Sequence, residues 1–92
     1  MSRIRVCFFG GTRDEIGLDE VQLETDEDST INDVIGLLIK IYGEKARNAL
    51  LTKDSSSYKF VTFINKQVPR DVRQVRLKDG DNVYLIPPMS GG

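Results

Sequence analysis

Apolar and polar positions alternate with a period of two over residues 3–9, where Ile4, Val6 and Phe8 interleave with Arg3, Arg5 and Cys7. That period predicts a strand with one apolar and one mixed face. Gly10-Gly11-Thr12 reads as its end, and residues 10–19 as a loop. A second strand is predicted over 20–25, with Val21 and Leu23 on one side and Gln22 and Glu24 on the other. Two short neighbouring strands favour antiparallel pairing.

The period then changes. Ile31, Val34, Ile35, Leu38, Ile41 and Tyr42 recur at steps of three and four, the spacing of one helical face. Thr30 with Asp33 three residues on has the form of a capping box, and Gly43 suits the far cap. Gly36 inside this helix costs up to ~1 kcal/mol against alanine, so a close approach to the sheet is expected there. A shorter helix is predicted over 44–51, with Ala46, Ala49 and Leu50 inward, and 54–57 as a polar loop. Residues 60–65 read as a strand, 65–67 as a turn, and Val68-Pro69 as a brief edge segment. Residues 77–81 form a turn into a last strand, 82–86, which Pro87-Pro88 ends. The order predicts an α+β fold: two layers, with one main helix on one face of a mixed sheet. The helix crossover after the first strands makes a parallel pairing available to the first strand.

Composition narrows the function. Ninety-two residues make one domain, expected over 1–88 with a flexible tail at 89–92. Thirteen basic against fourteen acidic residues (net −1) lack the basic excess of a nucleic-acid binder. No apolar run approaches the ~20 residues of a membrane helix, and the N-terminus is too polar for a signal peptide, so a cytoplasmic domain is expected. There is no histidine, which removes the usual activator of serine and cysteine nucleophiles and the commonest transition-metal ligand; no metal site is expected. The single cysteine, Cys7, reads as a small apolar residue beside a strand. Arg70, Arg73 and Arg76 read as a solvated charged edge, and Asp79 and Asp81 as turn residues.

The closing run Leu77-x-Asp79-Gly80-Asp81-x-Val83-x-x-x-Pro87-Pro88-x-Ser90-Gly91-Gly92, with the element order and the size, resembles the MoaD/ThiS family of ubiquitin-like β-grasp sulfur carriers. The likeness extends to the small archaeal modifier proteins. Phe8-Phe9-Gly10 and Phe63-Ile64-Asn65-Lys66-Gln67 also sit where that family has a strand and a turn. The resemblance implies a chain that is not catalytic alone. Its Gly92 carboxylate would be adenylated by a ubiquitin-activating-type adenylyltransferase and converted to a thiocarboxylate. The sulfur would go most directly to molybdopterin, with this chain as the small subunit beside the molybdopterin synthase large subunit. The alternative is a modifier joined through Gly92 to lysines of other proteins.

The residues agree with that chemistry. A terminal carboxyl has a pKa near 3.5, so Gly92 is ionised and a poor electrophile until activated. The chain has no phosphate-binding glycine loop, so ATP and magnesium must come with the partner, and no cofactor is expected on the chain itself. Gly91 and Gly92, lacking a Cβ, suit a narrow channel, reached through Met89 and Ser90. Pro87 and Pro88 stiffen the exit. Strands 60–65 and 82–86 are apolar on both alternating faces, more than one helix layer covers. Phe63, Tyr84 and Ile86, with Met89, are the expected partner-binding surface.

Overall fold

The computed structural model describes residues 1–88. Met89, Ser90, Gly91 and Gly92 lie outside the described residues, and with them the expected tail.

Four strands make one mixed sheet in the order β2-β1-β4-β3: β1 (Ser2–Phe8), β2 (Glu20–Thr25), β3 (Val61–Ile64) and β4 (Asn82–Ile86). β1 runs antiparallel to β2 and parallel to β4, and β3 returns antiparallel to β4. Three helices cover one face: α1 (Gly10–Ile16), α2 (Ile31–Tyr42) and α3 (Glu44–Leu50). This is the two-layer α+β arrangement expected from the element order, and the β-grasp that the family resemblance implies.

The alternation in β1 decides which face is covered. Ile4, Val6 and Phe8 point under the helices, joined by Leu23, Val83 and Leu85 from the neighbouring strands. Ile31, Val34, Ile35 and Leu38 of α2 and Ala46, Ala49 and Leu50 of α3 close the core from above. The Thr30–Asp33 capping box forms in both directions, with Asp33 N–H donating to Thr30 Oγ1 (3.2 Å) and Thr30 N–H to Asp33 Oδ2 (2.9 Å). Gly43 N–H donates to Ile39 O (2.7 Å) and closes α2 as expected.

Five expectations need correction. Residues 10–16 are not loop but helix, although Gly10 and Gly11 are poor helix formers. Tertiary contact wins there. Thr12 and Ile16, four apart, are buried, and Gly17 in the left-handed region (φ 89°) donates its N–H to Arg13 O to end the turn. The strands shift slightly: β1 begins at Ser2 and releases Phe9, while Phe60 leaves β3 at a bend and stacks on Tyr58 at 4.8 Å. Val68-Pro69 is no edge segment. Asn65 and Lys66 take positive φ (50° and 70°), closing a tight turn on the Ile64–Gln67 bridge, after which Val68 has no strand pairing among the described residues. Ile41 leaves the apolar stripe and is exposed. Gly36 makes no close approach: a Cβ there would meet nothing within 4 Å.

Candidate functional site

The chain leaves the sheet from β4, an interior strand between β1 and β3. Outward-facing residues of three strands therefore surround the root of the tail. Register places Cys7 opposite Tyr84 on one side and Phe63 opposite Tyr84 on the other, with Val61 opposite Ile86. Phe9 meets Tyr84 edge-on, ring centres 5.5 Å apart at 70°. Phe63, Tyr84 and Ile86 are half-buried on the face without helices, and Val61 and Phe9 are exposed there. The structure thus brings Phe63, Tyr84 and Ile86 together on one surface. Val61 and Phe9 extend it; the β1–β4 register assigns Cys7 to it, and the ring contact with Tyr84 assigns Phe9.

The other half of this face is ionic. Arg5 makes a two-pronged pair with Glu20, at 2.8 Å for both bonds, and Arg3 reaches Glu24 at 3.6 Å. The hydrogen-bonded Arg5 guanidinium holds the Glu20 carboxyl below its usual range. An open face split into an apolar half and a paired-charge half can select a partner's orientation as well as its contact. Cys7, 7% exposed, lies between the halves, and burial pushes its thiol pKa up. A protonated, covered thiol is a packing group.

One close approach fixes where the chain leaves the sheet. Gly10 takes φ 53°, and a Cβ there would sit 3.2 Å from Pro87 Cγ, so α1 begins directly against the exit. Pro87 is half-buried and Pro88 exposed. Beside them lies a groove of about 460 Å³ between α1 and α3, bordered by Gly11, Thr12, Ala49 and Tyr58. Behind β4, Asp79 and Asp81 act within the turn: Asp79 accepts the Arg3 N–H (2.7 Å), and Asp81 accepts from Lys78 N–H (2.7 Å) and Asn65 Nδ2 (2.8 Å). No described helix is long and apolar enough to cross a membrane.

This geometry has relatives. The profile of the ThiS family matches residues 6–92. A molybdopterin synthase sulfur carrier subunit from Chlamydomonas reinhardtii is 32% identical over 90 residues, covering 98% of this chain and 99% of that protein. The crystal structure of Haloferax volcanii small archaeal modifier protein 1 superposes with a TM-score of 0.83 at 18% identity, over 97% of this chain and 100% of that one. A complex of subunits 1 and 2 of the molybdopterin-converting factor from Helicobacter pylori contains a chain of the same fold, with TM-score 0.55, 18% identity and coverage of 98% and 99%.

Proposed function

Because this chain belongs to the ThiS family, we propose that it is a sulfur carrier of the molybdopterin synthase type. The observation that carries the reading is the 32% identity, end to end, with a molybdopterin synthase sulfur carrier subunit. The family match running to Gly92 supports placing the chemistry on its carboxylate.

The Gly92 carboxylate attacks the α-phosphate of ATP, giving an acyl-adenylate and releasing pyrophosphate. A sulfide equivalent then adds to the acyl carbon, and AMP leaves with the electron pair of the broken C–O bond. The product is a thiocarboxylate. The partner adenylyltransferase supplies ATP, magnesium and the activating site. This chain supplies the docking face and the exit: Phe63, Tyr84 and Ile86 set the carrier on the partner, and Pro87-Pro88 direct Met89, Ser90, Gly91 and Gly92 into its channel. The same face then seats the chain on the synthase large subunit, where the thiocarboxylate gives up its sulfur.

Incubation with a ubiquitin-activating-type adenylyltransferase, ATP, magnesium and a sulfide donor tests the reading. Intact mass should show one oxygen replaced by sulfur, located at Gly92 by fragmentation. An unchanged mass with an enzyme that thiolates its own carrier in parallel rejects it. The overlay on a small archaeal modifier protein supports a second reading, in which adenylated Gly92 is passed to lysines of other proteins. High-mass conjugates of a tagged chain, lost on deleting Gly92, are its expected signature.

A further inference from the structure

The exit at Pro87-Pro88 is bordered on two sides, and only one of them belongs to the uncovered face. The chain crosses between them at Phe9, which meets Tyr84, and Gly10, which packs against Pro87. Beyond Gly10, on the helix layer, lies the groove of about 460 Å³ between α1 and α3. Thr12 and Ala49, each 4% exposed, form its floor. Tyr58 walls it and is held by three contacts. Its hydroxyl donates to Asn32 Oδ1 (3.3 Å), its ring stacks on Phe60 at 4.8 Å, and Arg73 lies over the ring at 4.8 Å. The wall is therefore set before anything binds, which lowers the cost of filling the groove. Its mouth is open: a Cβ at Gly11 would meet nothing within 4 Å, and Pro88 is exposed. The charges at its border are one of each sign. Glu15 has no ion-pair partner among the described residues, and Lys59 Nζ donates to Asn48 O (2.9 Å).

The length of the tail decides whether a partner reaches this groove. On the sulfur-carrier reading, on which this inference rests, the reacting carboxylate belongs to Gly92, four residues past Pro88. Four extended residues span at most about 14 Å. An adenylating site that closes round Gly92 must bring its own surface that near to Pro88. A specific protein interface covers about 800 Å² per partner, a patch on the order of 30 Å across. Centred on the exit, such a patch takes in the groove as well as Tyr84 and Ile86. Apolar surface at the core of an interface gains most when it is packed rather than left wet.

We propose that the α1–α3 groove is a second docking contact for the adenylyltransferase, filled by an apolar side chain from the lip of the channel that receives the tail. The partner then grips both layers of the fold, with Pro87 between the two contacts. One contact would let the carrier pivot about it; two on opposite sides of the exit fix the direction in which the tail enters the channel.

Gly11→Leu is the test variant. Leucine is the better helix former and its Cβ has open space there, so the fold is kept while the groove is obstructed. Gly36→Leu makes the same change at an equally open helical position on α2, away from the exit, and is the control. Adenylation is followed as ATP–pyrophosphate exchange at varied concentrations of the full chain. Gly11→Leu should raise the KM for the carrier at least about tenfold, the rise falling on KM and not on kcat. Gly11→Glu should do the same by setting a charge against an apolar side chain. Gly36→Leu should leave KM where it is. An unchanged KM in either Gly11 variant, or an equal rise in Gly36→Leu, overturns the groove contact while the carrier reading stands. Wild-type chain that supports no exchange, with an enzyme active on its own carrier, overturns the carrier reading and the groove contact with it. Two further outcomes give the groove to another occupant and overturn the proposal: a wild-type dimer in sedimentation that Gly11→Leu dissociates, or amide exchange in α1 of the free chain that accelerates when residues 89–92 are deleted.

Discussion

Single side chains divide here between those that hold the fold and those that face a partner, and Tyr84 shows how to tell them apart. It touches Phe9 edge-on and lies opposite Cys7 and Phe63, yet it belongs to the uncovered face, away from the helices. Tyr84→Asp should therefore lower stability by only about 1 kcal/mol. A tyrosine at the centre of a contact surface is worth about 2 kcal/mol or more in binding, roughly thirtyfold. The KM of the activating enzyme for the carrier should rise by that factor with kcat little changed; an unaltered KM would remove this face from the docking surface. Asp54 shows a residue that serves only its loop. Its carboxylate accepts from Ser56 Oγ (2.7 Å), Thr52 Oγ1 (2.8 Å) and Ser56 N–H (3.0 Å), and these bonds pull its pKa down to about 2. A carboxyl depressed in the folded state stabilises above its unfolded value near 3.9, and that contribution fades as pH falls toward about 2. The carboxyl ¹³C titration of Asp54 should have its midpoint near the lower value; a midpoint at the ordinary aspartate position would show that the loop bonds do not persist in solution.

Elements differ in how openly their sequences declare them. The long helix α2 carries its own signals: a capping box, four inward apolar residues at helical spacing and a glycine cap. All were legible because each is a local effect. The short helix α1 carries almost none. It opens with two glycines, buries only Thr12 and Ile16, and draws its stability from packing on the sheet and α3. The Thr12–Ile16 spacing followed by Gly17 was the available signal, and the glycine pair outweighed it. Gly36 reverses the case. Its cost was legible, but a compensating contact was not there to be found, because the position faces solvent. Gly36→Ala should consequently stabilise the chain by about 0.4–1 kcal/mol, read as a rise in the denaturant midpoint. Thr30→Ala should do the opposite, costing about 1 kcal/mol through loss of the cap. A destabilised Gly36→Ala protein would mean that α2 packs differently from the arrangement described.

At the scale of the whole molecule the two-layer order followed from period alone, but the orientation of the sheet did not. β3 and β4 are apolar on both faces, so their own residues could not say whether Tyr84 or Leu85 lies under the helices. β1 could: Arg3, Arg5 and Cys7 must face away from Ile4, Val6 and Phe8, and the parallel register that sets Cys7 beside Tyr84 carries that polarity across. The information was in the chain but needed a long-range pairing to be used. The same architecture separates stability from the proposed chemistry. Among the described residues, the buried cluster runs from Ile4 to Leu85. Deleting Gly91 and Gly92 should leave that cluster intact, with thermal and denaturant midpoints unchanged and thiocarboxylate formation lost. Leu85→Ala should give the reverse pattern. It empties a fully buried site and costs about 2–5 kcal/mol, yet protein still folded below its lowered midpoint should be thiolated at close to the normal rate. Melting curves and intact mass on the two variants decide the matter together. A truncated chain that melts markedly earlier would mean that the tail is part of the packed fold, and one that still accepts sulfur would move the chemistry off Gly92.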